Sequence, residues 1–143
     1  MLFTKEKIKE QCNVWKNTSK TIVFTNGCFD LLHRGHIDLL EKAATLGDVL
    51  IVGLNSDKSV KNIKGTDRPI ESEKLRIEHL FNMGMISAIC LFDDDTPLKL
   101  IQIIKPDILV KGGDYQPDDI VGSREIVKQG GRVEIIPLTP GYS

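Results

Sequence analysis

TIVFTNGCFDLLHRGHIDLLEKAATLG, residues Thr21 to Gly47, passes from an apolar run through a glycine and two histidines into a segment patterned like a helix. Thr21 to Thr25 is short, β-branched and apolar in its middle, as a strand covered on both faces must be. Asn26 and Gly27 then read as a turn at the end of that strand. In HIDLLEKAATLG, Ile37, Leu40, Ala43 and Ala44 recur at helical spacing, and Gly47 is a suitable left-handed terminator. Strand, glycine turn and helix in that order open a parallel β-α-β unit.

The same pattern repeats along the rest of the chain. VLIVGL (Val49 to Leu54), ISAICLF (Ile86 to Phe92), DILVK (Asp107 to Lys111) and VEIIPL (Val133 to Leu138) read as further buried strands. ESEKLRIEHLFNMG, TPLKLIQIIK and IVGSREIVKQGG are the helical candidates. In TPLKLIQIIK, Thr96 can cap, Pro97 suits the first turn and Pro106 closes the segment. Gly130 and Gly131 provide the exit from the last helix. Parallel strands need helical crossovers, so the expected fold is α/β: a Rossmann-like, doubly wound parallel five-stranded sheet with helices on both faces. Residues 1 to about 20 are expected to add an N-terminal helical extension with Ile8, Cys12 and Trp15 on one side. Without a linker, repeat or low-complexity tract, residues 1–143 read as a single domain.

Composition narrows the class of partner. At 143 residues, 41% hydrophobic and 27% charged, the chain has the make-up of a folded, soluble protein. A net charge of −1 gives no general attraction to nucleic acid or to an anionic membrane, so any phosphate site must be local and the partner small. No apolar run approaches the ~20 residues that cross a bilayer. MLFTKEKIKEQC lacks the apolar core and cleavage site of a secretory signal, which makes the cytoplasm the expected compartment. Cys12, Cys28 and Cys90 are odd in number and widely spaced, which argues against a disulfide framework or a structural zinc site and fits free thiols.

The chemistry concentrates where the first strand gives way to its helix. Open α/β sheets bind ligands beyond the carboxyl ends of their strands, and TNGCFDLLHRGH lies there. His33 and His36 fall at i and i+3 around the first helical turn and project to one side, while Gly35 between them lets a ligand approach the backbone. Unpaired amides and the dipole of the helix start favour an anion, and two imidazoles favour it further. A phosphate is the natural guest. In phosphoryl or nucleotidyl transfer, charge accumulates on nonbridging oxygens, and fixed donors at ~3 Å stabilise it without a covalent intermediate. Taken alone, two histidines at a helix start could equally cap and pack.

The stretch GCFDLLHRGH resembles the H-x-G-H signature of the cytidylyltransferase-like nucleotidyltransferases. TNGCFDLLHRGHIDLLEKAATLGD, VGLNSD, KGTDRPI and DILVKGGDY, in this order and spacing, resemble more closely the D-glycero-β-D-manno-heptose 1-phosphate adenylyltransferases, whether free-standing or as the C-terminal half of the bifunctional ADP-heptose synthase. The likeness covers residues 20 to 143.

That resemblance implies roles for particular residues. His33 and His36 match the signature histidines, which bind the triphosphate and stabilise the α-phosphate under attack. Thr25, Asn26, Gly27, Cys28, Phe29 and Gly35 match the loop that contacts the nucleotide, and Asp30 matches an acid that orders this loop or faces the acceptor. A basic residue after the second strand commonly holds phosphates; Lys58, Lys61 and Lys64 all fall in that window, with Lys61 preferred. Arg68 and Arg76 are further phosphate candidates, and Asp57 closes the block after strand two. Lys111, Gly112, Gly113 and Asp114 match the block that lines the crevice after the fourth strand, with Gly112 on the nucleotide side and the others on the substrate side. The serine- and threonine-rich phosphate-binding turn of the family is expected to be truncated, only Ser143 of it falling within the chain.

The implied reaction transfers AMP from ATP to heptose 1-phosphate, with Mg²⁺ accompanying ATP, and serves lipopolysaccharide core precursor synthesis in a bacterial cytoplasm. A homodimer follows only from the superfamily's habits. The alternatives are a cytidylyltransferase acting on a polyol phosphate such as glycerol 3-phosphate, and a non-catalytic nucleotide-binding module. No resident metal is expected: Cys28, His33 and His36 lack the spacing of a known zinc site. Asp93, Asp94 and Asp95 read as a solvated loop before a magnesium site. His79 reads as packing or surface, and Trp15 as an anchor for the N-terminal helix.

Overall fold

A computed structural model of the chain describes residues 1–113 and 115–141. In chain order the elements are β1 (Leu2–Phe3), α1 (Lys5–Asn17), β2 (Ile22–Gly27), α2 (Arg34–Thr45), β3 (Val49–Asn55), α3 (Asp57–Lys64) and α4 (Glu73–Asn82). There follow β4 (Ala88–Phe92), α5 (Leu98–Ile104), β5 (Ile108–Gly112), a 3-10 turn at Pro117–Asp119, α6 (Ser123–Lys128) and β6 (Arg132–Ile136). The strands form one parallel sheet in the order β1-β4-β3-β2-β5-β6.

The doubly wound parallel architecture matches the sequence reading, with six strands in place of five. The additional strand is Leu2–Phe3, which pairs with Ile89 and Cys90 at the sheet edge. Two residues are too few to show a period, and only the waiting edge of β4 makes them a strand. The N-terminal segment is accordingly part of the sheet as well as a helix.

Alternation along the strands divides the core into two layers. Ile22, Phe24, Val49, Ile51, Cys90 and Leu109 pack with Ile8 and Cys12 of α1, Leu100, Ile101 and Ile104 of α5 and Ile126 of α6. Val23, Leu50, Val52, Leu54, Ile89 and Val110 pack on the other face with Leu40 and Ala43 of α2 and Leu80 of α4. Each of the valine, leucine, isoleucine and phenylalanine side chains among them, fully buried, contributes about 1.5–3 kcal/mol relative to exposure. Trp15 packs against the first layer, as the sequence suggested. The cysteines are free, and burial pushes the thiols of Cys12 and Cys90 up to about 11, so neither is a thiolate near neutral pH.

Three local expectations are revised, and one helix is added. β2 does not turn at Asn26-Gly27 but continues in register with Gly53 and Leu54 of β3, and the chain bends later, at Phe29 (φ 49) and Leu31 (φ 56). Gly47 is not left-handed; it is required because a Cβ there would lie 2.8 Å from the Thr21 carbonyl oxygen and from Val23 Cγ2. Pro97, not Thr96, is the N-cap of α5, and the Thr96 hydroxyl accepts the Leu98 N–H at 3.4 Å. Residues Asp57–Lys64, which the sequence reading assigned to no element, form α3, capped by Ser56 accepting the Ser59 N–H at 3.2 Å.

From β2 the chain proceeds outward through β3 to β4, then returns to the opposite side of β2 for β5 and β6. That reversal leaves a gap beyond the carboxyl ends of β2 and β5, where open α/β sheets hold ligands. Among the described residues no helix is long and apolar enough to cross a membrane.

Candidate active site

A crevice of about 710 Å³ opens at this reversal. Its floor is Thr25, Asn26 and Gly27 of β2 with Lys111 and Gly112 of β5. One wall is the β2–α2 loop and the start of α2, and the other is Tyr115 with Ile136, Pro137, Leu138 and Thr139. The volume falls within the few hundred to ~1,000 Å³ that small-molecule sites occupy.

The histidines are set by the helix start itself. His33 is the N-cap of α2, and its Nδ1 accepts the Gly35 N–H at 3.0 Å, while His36 Nδ1 accepts the His33 N–H at 3.3 Å. A nitrogen that accepts an N–H must present a lone pair, so the neutral rings carry their proton on Nε2. The two rings stack, with centroids 3.9 Å apart and planes 17° from parallel, and Phe29 meets His36 edge-on at 5.5 Å. Burial, then the neighbouring His33 and Lys64, lower the His36 pKa to about 4, so that imidazole is neutral at physiological pH. The start of α2 therefore presents Nε2–H donors beside the positive end of its dipole, an arrangement that favours an anion.

Charge around the pair is mixed. Lys64 and Lys111 line the crevice, and the Lys111 ammonium stands 5.2 Å from the centre of the Tyr115 ring. Cys28 is half-buried, and burial raises its thiol pKa against the opposing pull of Lys64, Arg76 and Lys111. Asp38 pairs with Arg34 at 3.0 Å and accepts the Thr139 hydroxyl at 2.9 Å, which ties the segment after β6 to α2.

The β2–α2 loop is anchored from behind by the segment that leads into α4. Asp30 accepts the Ile70 and Glu71 N–H groups at 2.8 and 2.9 Å, and Arg68 lies 3.8 Å from it. Burial works to raise the Asp30 pKa, but these two hydrogen bonds and the charges of Arg76 and Arg68 hold it below its ordinary value. Glu71 Oε1 in turn accepts the Leu31 N–H at 3.1 Å. Phe29 and Leu31, both in the left-handed region, cost about 1–2 kcal/mol each, which these bonds offset.

Most of the candidate residues converge. Thr25, Asn26, Gly27, Cys28, Phe29, Asp30, His33, Gly35, His36, Lys111 and Gly112 all line the crevice. Thr25 is buried, and its hydroxyl donates to the Val110 carbonyl at 3.0 Å, so its contribution is to hold β2 to β5. Asp57, Lys61, Arg68, Arg76 and Gly113 are not among the lining residues, and Asp114 lies outside the described residues. Of the three lysines weighed, Lys64 reaches the crevice; Lys61 does not, and Lys58 lines a separate hollow with Asp93 and Asp94.

Arg76 is wholly buried. Its guanidinium donates to the carbonyls of Glu71, Cys28 and Asn55 at 3.1, 2.7 and 2.8 Å and to Asp57 Oδ1 at 2.9 Å. Asp57 completes the knot by accepting the Glu73 N–H at 2.8 Å while donating its own N–H to Glu73 Oε1 at 2.9 Å. Both residues thus gather loops beneath the crevice: Arg76, a phosphate candidate by the resemblance, is engaged by carbonyls and Asp57, and Asp57, expected on the nucleotide side, by Arg76 and Glu73. Arg68 is partly exposed and directed to Asp30, and Gly113 takes φ 114 where the chain leaves β5.

Tyr115, Asp38, Leu39 and Ile136–Thr139 line the crevice without having been singled out from sequence. Leu39 follows His36 by three residues on α2, a spacing that could have revealed it. Tyr115 stands just past the KGGD block. Among the described residues no group of three or more His, Cys, Asp or Glu could hold a metal ion. Asp93 is engaged by the Ser56 hydroxyl and Asp94 pairs with Lys5 at 3.6 Å, in keeping with a loop. His79 lies at the surface, 3.4 Å from Glu71.

Comparison with known proteins places this geometry in context. The chain is 50% identical over 139 residues to the bifunctional protein HldE of Syntrophotalea carbinolica, covering 97% of this chain and 28% of that protein. It is 52% identical over 124 residues to HldE of Citrifermentans bemidjiense, covering 87% of this chain and 26% of that one. The chain thus spans between a quarter and a third of the length of these relatives. The crystal structure of the lipopolysaccharide core biosynthesis protein from Thermoplasma volcanium superposes with a TM-score of 0.67 at 27% identity, covering 84% of this chain and 97% of that one. Pantoate-beta-alanine ligase from Francisella tularensis, solved with beta-gamma ATP and beta-alanine, also gives 0.67, over 98% of this chain and 68% of its own, and at 18% identity it shares the fold alone. The cytidylyltransferase-like family model matches residues 24–142, from the middle of β2 past the end of β6, and the chain belongs to that family.

Proposed function

We propose that the chain is a heptose 1-phosphate adenylyltransferase domain. A phosphate oxygen of D-glycero-β-D-manno-heptose 1-phosphate attacks the α-phosphorus of ATP. The bond from that phosphorus to the α,β-bridging oxygen breaks, pyrophosphate leaves with the electron pair, and ADP-heptose forms. The observation that carries the reading is the His33–His36 pair at the start of α2, two stacked imidazoles held as Nε2–H donors over a crevice. The identity of about half to bifunctional HldE proteins narrows the substrate.

In this reaction negative charge grows on the nonbridging α-phosphate oxygens, and donors fixed beforehand stabilise it without reorganising. His33 and His36 have that role here. Lys64 and Lys111 draw the phosphates into the crevice, and Tyr115, Leu39 and Leu138 offer an apolar wall for the base. A divalent cation such as Mg²⁺ would enter on the triphosphate and offset its charge, and no side chain is assigned to it. The product is an activated sugar for lipopolysaccharide core synthesis. Because ATP and sugar phosphates are cytoplasmic metabolites, the enzyme is assigned to the bacterial cytoplasm, where the family's dimeric habit is testable by light scattering.

The deciding experiment is pyrophosphate release with Mg²⁺, pairing each of ATP, CTP, GTP and UTP with β-heptose 1-phosphate and with glycerol 3-phosphate. Release confined to ATP with the heptose phosphate supports the assignment. Release with CTP and glycerol 3-phosphate keeps the chemistry and overturns the substrate, while nucleotide binding without release in any pair indicates a binding module.

A further inference from the structure

The residues that shape the histidine pair extend beyond those that line the crevice. Neither Glu71 nor Arg76 is among the lining residues. Both nonetheless bond directly to the loop from which the pair hangs: Glu71 Oε1 receives the Leu31 N–H at 3.1 Å, and Arg76 Nη1 reaches the Cys28 carbonyl at 2.7 Å. Between those two anchors lie Phe29 and Asp30, and Asp30 is itself bound to the Ile70 and Glu71 amides. The loop is thus fastened at Cys28, Asp30 and Leu31 to one segment, residues 70–76.

That fastening is transmitted to the chemistry through Phe29. Its backbone takes φ 49, its side chain is 4% exposed, and its ring meets His36 edge-on, while His36 stacks on His33. Non-glycine residues leave the left-handed region when nothing holds them there. Release of Leu31 or Cys28 would let Phe29 swing away from His36, and the imidazole pair would lose the wall that fixes its tilt. A displacement of about an ångström in such a donor is enough to weaken catalysis markedly while leaving substrate binding largely intact.

We infer that Glu71, supported by Arg76, is a positioning residue that sets the orientation of His33 and His36 through the strained loop Cys28–Leu31. This inference rests on the adenylyltransferase reading for its kinetic consequence but not for its structural one.

The test compares Glu71→Gln, which keeps an Oε1 acceptor for Leu31, with Glu71→Met, which fills a similar volume without one. Both are read by steady-state kinetics with ATP and heptose 1-phosphate, by thermal melting and by NMR titration of the His36 ring. The expected result is Glu71→Gln near wild type, with Glu71→Met losing about tenfold or more in kcat at a KM changed less than about threefold. In Glu71→Met the His36 midpoint should also rise from about 4 toward its ordinary 6.5, because a loosened ring gains water and draws away from His33 and Lys64. A folded Glu71→Met protein with wild-type kcat and an unmoved His36 midpoint would overturn the inference. Should Glu71→Met not fold, Glu71→Ala, which removes the same acceptor without placing a new side chain against the loop, is read against the same two outcomes. If wild type itself releases no pyrophosphate, the substrate assignment fails, and the His36 titration still decides the positioning role.

Discussion

His33 and His36 stack with ring centroids 3.9 Å apart, each with its Nδ1 turned to a backbone N–H of the same helix start. The arrangement commits both rings to one tautomer before any substrate arrives. It makes them fixed hydrogen-bond donors instead of acid and base, which suits a reaction whose transition state gathers negative charge. Replacing either histidine by alanine is expected to lower turnover at least ~100-fold with smaller effects on KM. Pyrophosphate release under saturating substrate measures it, and near wild-type turnover in both variants would remove the pair from the mechanism.

The depressed pKa of His36 links stability to pH. Between its folded value of about 4 and its ordinary 6.5, the unfolded chain binds a proton that the folded chain does not. Stability from this group is therefore complete above that window and is lost as pH falls through it. His36→Gln abolishes the titration, so the melting temperature of wild type relative to the variant should decline from about pH 7 to pH 4. A difference that stays constant across that range would show that His36 titrates alike in both states.

Arg76 is the largest fully buried side chain, and its guanidinium satisfies three carbonyls and one carboxylate. Arg76→Met removes the guanidinium donors from the three carbonyls at once and leaves Asp57 Oδ1 with the Glu73 N–H alone. It should cost about 3 kcal/mol or more in denaturant unfolding, since each unsatisfied buried group costs about 1–3 kcal/mol. A loss confined to nucleotide affinity, with stability intact, would instead restore Arg76 as a ligand-binding residue.

Lys61 and Lys64 sit on the same short helix, yet only Lys64 lines the crevice. Lys64→Ala should weaken ATP binding about tenfold, the worth of one charge-assisted contact, while Lys61→Ala should change it less than about twofold. Calorimetric titration with ATP distinguishes the two, and the reverse order would mean that α3 rotates when nucleotide binds.

Gly47 admits no side chain, because a Cβ there would approach Thr21 O and Val23 Cγ2 at 2.8 Å. Gly47→Ala should destabilise by about 1–3 kcal/mol through overpacking, measured by thermal melting, without altering the affinity for ATP. An unchanged melting temperature would mean that the α2–β3 connection yields readily.

Strand and helix positions in the body of the sheet were legible because burial on both faces writes itself into uninterrupted apolar runs such as VLIVGL, and amphipathic spacing marks α2. Leu2–Phe3 and α3 were not legible. The first is a strand only because the edge of β4 receives it, and the second, eight residues with Val60 buried, is too short for its apolar spacing to stand out as a repeat. The histidines, the glycine before them and the Lys111-Gly112 block were readable as neighbours of one crevice because their residue types and order are local properties of the chain. What the sequence by itself determined was therefore the architecture and the chemical identity of the donors. The division of labour among the charged residues was decided by tertiary structure alone. Whether an arginine meets a ligand or a carbonyl depends on which loops converge around it, and Arg76 meets Cys28, Asn55 and Asp57, residues 48, 21 and 19 positions away. Lys64 in place of Lys61 was decided likewise, by which end of a short helix borders the crevice.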